Sequence, residues 1–190
     1  MATSRRDLLK IGGLATASLL VSQKSFAAWA PSERYPDPRI VAVDDSFRRY
    51  MLASAKVERI ASGFRWAEGP VWLAEQQSVI FSDVKGNKMY RWNAQSGVSV
   101  FRAESHFANG NALDNEGRLL TCEHGRRGIS RTDKQGNHTL LVDKIDGLRF
   151  NSPNDIAVRQ DGSIWFTDPP YGIVGDEEGY RAASQVIGCY

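Results

Sequence analysis

Glu68, Asn109 and Asn154 place an oxygen-bearing side chain at the same point of a pattern that recurs along the chain. Each stands at the mouth of a short apolar stretch. A turn follows, then a second stretch that closes on an acidic residue: Asp83, Glu123 and Asp168 in turn. The mouths are 41 and 45 residues apart, and the acidic partners 40 and 45. Carboxylate and carboxamide oxygens are hard donors of the kind that hold Ca²⁺, Mg²⁺ or Mn²⁺. An ion so held could polarise a carbonyl and acidify bound water, which is the chemistry of metal-assisted hydrolysis. Each residue also has a plainer role open to it. Glu68 could be a turn residue before Gly69-Pro70, and Asn154 could bond its own backbone after Pro153. His106, His124 and His138 are scattered and the chain has no CxxC, so no zinc-finger or zinc-hydrolase spacing is present.

A period of about 40 residues with several short strands per unit is the signature of β-propeller blades. The first unit predicts strands over Pro70–Leu73, Ser78–Ser82, Lys88–Trp92 and Val98–Arg102. The second predicts Ala112–Leu113, Arg118–Cys122, Gly128–Thr132 and His138–Val142. Arg91 and Arg131 each lie eight residues past the acidic residue of their own unit, which fixes the two in register. The third unit predicts Ile156–Val158 and Ser163–Thr167, then a loop with Pro169 and Pro170 before a strand over Gln185–Tyr190. Asp83 and Asp168 are expected to fix blade turns by hydrogen bonds, and Trp66, Trp72 and Trp165 to fill the space between blades. Upstream, Asp44–Ser54 reads as a short helix after an N-cap aspartate, and Val57–Ser62 as a strand.

The first residues read as an address. Ser4-Arg5-Arg6-Asp7-Leu8-Leu9-Lys10 has the form of a twin-arginine export signal. An apolar run from Ile11 to Val21 and a small-x-small site at Ser25-Phe26-Ala27 follow. Eleven residues span about 16 Å as a helix, roughly half a hydrocarbon core. Cleavage after Ala27 removes Arg5, Arg6, Lys10 and Lys24 with Asp7, so the formal net charge of +2 becomes −1. The basicity belongs to the signal, and no nucleic-acid partner is implied. The reading is a periplasmic or secreted protein, handled by the twin-arginine machinery and without a membrane segment after cleavage. Passengers of that route fold in a reducing compartment, so Cys122, mid-strand among apolar residues, is expected as a buried free thiol.

Trp66-Ala67-Glu68-Gly69-Pro70-Val71-Trp72, Glu123-His124-Gly125-Arg126-Arg127, Asn151-Ser152-Pro153-Asn154-Asp155 and Asp161 through Gly172 resemble the gluconolactonase, regucalcin and luciferin-regenerating-enzyme family, in its bacterial exported form. The resemblance runs from Val57 to Tyr190 and implies an all-β, six-bladed β-propeller of which this chain carries roughly the first three blades. It divides the chain into a signal at 1–27, a leader with a short helix at 28–56 and propeller at 57–190, with the last blade incomplete. It implies one divalent cation, Ca²⁺ first, with Mg²⁺, Mn²⁺ or Zn²⁺ as alternatives. Glu68 and Asn154 match two of its ligands. The family's other two ligands, one of them the aspartate expected as general base, would lie beyond Tyr190. Asn109, His124 and Arg126 are candidates for substrate contact. The implied activity is hydrolysis of a small-molecule sugar lactone, expected of an intact parent rather than of this stretch alone. Another esterase or phosphotriesterase, or a non-catalytic binding propeller, are the competing readings, since one fold hosts many functions.

Export should depend on the arginine pair. In cells making an Arg5→Lys, Arg6→Lys double variant of the intact protein, the periplasmic fraction should fall sharply. An unchanged periplasmic yield would sink the export reading.

Overall fold

The computed structural model describes residues 30–174 and 188–189. The export signal read at 1–27 and most of the strand read at 185–190 lie outside the described residues. The chain divides into two compact units, Met1–Arg59 and Ile60–Tyr190.

In the first unit, Asp45–Tyr50 forms a 3-10 helix whose N-cap, Asp44, accepts a hydrogen bond from the Ser46 amide. Buried Asp37 organises the rest. Its carboxylate takes the Arg39 guanidinium on both oxygens, at 2.9 and 2.6 Å, and the Val57 amide at 3.0 Å. The Arg39 guanidinium holds the Asp37 carboxyl well below the usual carboxylate range. Val57–Ser62, read as a strand, is not one: the first strand of the described backbone begins at Ala67. Val57 gives its amide to the Asp37 carboxylate, a bond that serves no strand ladder.

The second unit is all-β. Strands β1 (Ala67–Leu73), β2 (Ser78–Asp83), β3 (Lys88–Asn93) and β4 (Gly97–Arg102) form one antiparallel sheet in chain order. β5 (Ala108–Leu113), β6 (Leu119–Glu123), β7 (Gly128–Thr132) and β8 (His138–Val142) form a second with the same order. After a short hairpin of β9 (Lys144–Ile145) and β10 (Leu148–Arg149), a third sheet has the order β11 (Ile156–Val158), β12 (Ile164–Asp168), β13 (Gly188–Cys189). The strands therefore fall within a residue or two of the sequence reading, except that the first strand of each of the first two sheets begins earlier. Asp146-Gly147 turns the unanticipated hairpin, both with positive φ (52° and 81°), as a tight turn of two left-handed residues requires.

Three consecutive sheets stack face to face through two apolar seams, in the manner of propeller blades. Ile80, Met89, Ala108 and Leu119 make the first seam, with Val71, Leu73, Phe101 and Leu113 at its margins. Leu120, Cys122, Ile129, Phe150, Ile156 and Phe166 make the second, where Phe150 and Phe166 meet edge to face at 5.1 Å between centroids. Side chains alternate across a strand, so Leu119 enters one seam and Leu120 the other. β6 is buried along its whole length for this reason. Each fully buried leucine contributes on the order of 1.5–3 kcal/mol. Cys122 is a free thiol deep in the second seam, and burial pushes its pKa well up, so it packs and does not react.

The tryptophans do not fill the seams. Trp66, Trp72 and Trp165 are 41%, 47% and 50% exposed. Trp66 precedes β1 and is held by Glu68 and by Lys85, whose Nζ lies 5.0 Å above its ring. Trp72 lies across from Val79 and Trp92 on the face of the first sheet that points away from the second, beside exposed Val98 and Val100. Trp165 has the mirror position on the third sheet, opposite Ala157.

Asp83 and Asp168 fix the chain where it enters the first and third sheets. Asp83 Oδ1 accepts from the amides of Arg65 and Trp66 at 3.1 and 2.8 Å. Asp168 Oδ2 accepts from the Asn151 amide at 2.7 Å, and the Asn151 side chain returns a bond to the Asp168 carbonyl at 3.1 Å. Burial raises the Asp168 pKa, with the Asn151 and Ser152 amides opposing it, and its Oδ1 has no hydrogen-bond partner among the described residues. A carboxyl raised in the folded state favours folding most below its ordinary value, and that contribution is lost as pH rises through the folded value. Asp168→Asn keeps the acceptor without the buried charge. Its stability relative to the parent should therefore improve from acid to neutral pH, and Asp168→Ala, which loses the titrating group and the acceptor alike, should follow the same trend about 1–3 kcal/mol below Asp168→Asn. Urea unfolding of the three proteins across pH checks this, and a pH-independent difference for Asp168→Asn would contradict it. The apolar outer faces predict a second behaviour. The 190-residue chain should enhance ANS fluorescence, and Trp72→Gln with Val100→Thr should reduce that enhancement; an unchanged dye signal would show that the outer faces do not take it up.

Candidate functional site

The strand mouths are brought together by backbone contacts that only glycine permits. Gly69, in β1, has φ of +54°, and a Cβ there would collide with the Asn109 carbonyl oxygen of β5. A Cβ on Gly110 would collide with the Asn154 carbonyl, to which the Gly110 amide donates at 2.7 Å. β1, β5 and the segment entering β11 are thus stitched side by side at one end. Glu68, Asn109 and Asn154, one from each, stand at that end.

Two bulges aim these positions. Between Glu68 and Val71 β1 carries one residue more than its partner stretch Ile80–Ser82. Between Ala108 and Asn111 β5 does the same against Thr121–Glu123. A bulge bends the strand and redirects side chains without ending the ladder. Asn111 locks both: its Nδ2 donates among Gly69 O, Ser82 Oγ and Asn109 O at 2.9–3.0 Å, and its Oδ1 accepts from Thr121 Oγ1 at 2.8 Å. Ser82 Oγ adds a bond to Asn109 O at 2.7 Å. This buried polar clamp between the first two sheets was not singled out in the sequence. An asparagine two residues past a strand-mouth asparagine, Asn109-Gly110-Asn111, is the one signal that could have found it.

Glu68 is half-buried and its Oε1 accepts from Trp66 Nε1 at 2.7 Å. Asn154 is half-buried as well. Its amide donates to Thr167 O at 2.8 Å and its carbonyl accepts from Gly110, so the backbone is fixed. The backbone-capping role open to Asn154 is taken by its neighbour, since Asp155 Oδ1 accepts from the Ile156 amide at 2.9 Å. The Asn154 side chain makes no hydrogen bond among the described residues. Asn109 is buried, with its Nδ2 3.3 Å from Nε2 of buried His124. Asn109 and His124 therefore meet, whereas the Arg126 guanidinium is drawn to Glu123, with Nε 3.5 Å from Oε2.

Glu123 breaks the repeat. It occupies the place of Asp83 and Asp168, but its extra methylene carries the carboxylate past the entry turn into the first seam. There Ser130 Oγ donates to Oε1 at 2.6 Å and His138 Nε2 lies 2.7 Å away. The capping task passes to Asn87, whose Oδ1 accepts from the Phe107 amide at 2.8 Å. Burial, with Arg126 nearby, lowers the His106 pKa, and burial lowers that of Arg102, which donates to Thr132 Oγ1 at 2.6 Å.

Glu68 and Asn154 offer uncommitted oxygen at strand mouths on either side of β5, a donor chemistry that fits a hard divalent cation. His124 is engaged with Asn109, and His138 Nε2 lies beside the Glu123 carboxylate.

Residues 66–187 match the model of the SMP-30/gluconolactonase/LRE-like region. The gluconolactonase of Zymomonas mobilis subsp. mobilis is 34% identical over 155 residues, covering 74% of this chain and 42% of that protein. Among solved structures, a gluconolactonase from Xanthomonas campestris superposes with a TM-score of 0.66 at 41% identity, over 71% of this chain and 46% of that one. A putative gluconolactonase gives 0.70 at 36% identity, over 85% and 53%. The chain spans about half the length of these relatives. It belongs to the SMP-30/gluconolactonase/LRE-like family.

Proposed function

We propose that this chain is part of a metal-dependent hydrolase that opens a sugar lactone. The placement of Glu68, Asn109 and Asn154 at one end of three stitched strands carries that reading, and the gluconolactonases it resembles supply the substrate class. The complete protein is read as a six-bladed propeller, exported by the twin-arginine route to the periplasm, with Ca²⁺ as the first choice of ion. Glu68 and Asn154 would hold it together with ligands from elsewhere in the complete protein. When bound, such an ion polarises a carbonyl and lowers the pKa of water.

The remaining tasks fall to side chains. With Asn109 Nδ2 donating to His124 Nε2, the Asn109 carboxamide oxygen faces the role of accepting from a lactone hydroxyl, and the His124 ring is held in one orientation. The indole of Trp66 holds one Glu68 oxygen, which orients the carboxylate and leaves the other to bind. Arg126, tied to Glu123, would contact substrate only by leaving that partner.

Glu68→Gln removes the charge on this side of the site and should weaken Ca²⁺ by about tenfold or more. Asn154→Asp keeps an oxygen and adds a charge, so it should weaken the ion less. Chelation should abolish hydrolysis of gluconolactone in the complete protein, and Ca²⁺ should restore it. Calorimetry for the ion and a pH indicator for hydrolysis read these outcomes. Full activity in Glu68→Gln, or after chelation, would remove the metal-centred reading.

A further inference from the structure

At the far end of the same strands, the first seam opens into a cavity of about 420 Å³. Leu73 and Leu113, the last residues of β1 and β5, line it with Leu119 and Phe101. Arg91 is the cation in this apolar wall. Its guanidinium carbon lies 5.3 Å over the Phe101 ring, and its buried Nε has no hydrogen-bond partner among the described residues. An arginine presents five donors in a rigid fork, and a buried donor left unmet is costly.

The acids nearby are already committed. Asp133 Oδ1 accepts from the Gln135 and Asn137 amides at 2.9 and 2.8 Å, and Oδ2 from Asn137 Nδ2 at 2.7 Å. Glu75 takes Lys134 Nζ at 3.2 Å across the rim, joining the first sheet's turn to the second's. That pairing leaves Arg91 as the lining cation with no carboxylate on it, while Asp133 keeps its charge but spends both oxygens on the Gln135 and Asn137 N–H groups. One guanidinium balances one negative charge, and its fork matches a carboxylate edge on two atoms. The apolar wall needs a hydrocarbon body, and the volume falls in the range of small-molecule sites.

We propose that this cavity binds a small monocarboxylate with an apolar body, its carboxylate on Arg91 and its body against Leu73, Leu113 and Leu119. The site lies at the opposite strand ends from Glu68, Asn109 and Asn154 and does not depend on the lactone reading. Phenylacetate is a suitable probe, with 2-phenylethanol as its uncharged counterpart. Titrated into the full-length protein by ligand-observed NMR, phenylacetate should saturate one site per chain and bind about tenfold or more tighter than the alcohol. Arg91→Met keeps the apolar stem and should erase that preference, Arg91→Lys should retain part of it, and Glu68→Gln should leave it intact. Equal binding of acid and alcohol by the parent would overturn the proposal whether or not the Arg91 variants fold. So would a lack of saturation at millimolar phenylacetate, a preference that survives Arg91→Met, or one that vanishes with Glu68→Gln.

Discussion

The contact between Gly69 and the Asn109 carbonyl, repeated as Gly110 on the Asn154 carbonyl, is the constraint on which the candidate site depends. Any side chain at either glycine would force neighbouring strand mouths apart by the width of a methyl group. Glu68 and Asn109, the oxygen donors that precede these glycines, would then draw away from the neighbouring mouths. The site is therefore set by main-chain approach first and by its own side chains second. Asn111 secures it from below by bonding to three acceptors contributed by both sheets. A clamp that is polar and buried is worth most when every member is satisfied, and here its donor and acceptor atoms are all engaged.

The middle sheet feels this arrangement most. It is covered on both faces, so β6 carries no solvent-facing alternation and reads as Leu-Leu-Thr-Cys-Glu. The outer sheets are covered on one face only, and their other faces carry the exposed Trp72, Val98, Val100 and Trp165. Sequence pattern assigns a tryptophan in a strand to a core. The pattern carries no information on which of two faces has a neighbour within this stretch, and Trp72 and Trp165 lie on faces that have none among the described residues.

Most strands were legible because their limits are set locally, by Gly86-Asn87, Asn115-Glu116-Gly117 and Gln135-Gly136 turns and by alternation within five or six residues. The starts of β1 and β5 were not, since Gly69-Pro70 and Gly110 look like strand breakers until a bulge absorbs the extra residue. The period picked out Glu68, Asn109 and Asn154 as equivalent, and the structure puts all three at one end of adjoining strands. What the period could not convey is the consequence of a departure from it. Glu123 sits where the repeat has aspartate, and one added methylene converts a turn cap into a buried carboxylate facing Ser130 and His138.

That departure also explains why the two ends of the first seam differ in chemistry. Near the mouths the seam is closed by polar groups: Asn111, Thr121, Ser130 and Glu123 fill the space between sheets and bond to one another or to backbone. Toward the far ends the same faces carry Leu73, Leu113 and Leu119, with the Glu75–Lys134 pair crossing at the rim and Arg102 reaching Thr132 from the first sheet. Arg91 lies between these regimes, stacked on Phe101, with Arg102 drawn off to Thr132 and Met89 instead of sharing its space. Its counterpart Arg131 points by alternation to the other side of the second sheet, opposite Leu120, because each blade presents the same residue to the next. The repeat thus sets a guanidinium on the seam-facing side of both described seams, Arg91 opposite Ile80 and Arg131 opposite Leu120, and in the first of them it stacks on Phe101 beside an open cavity.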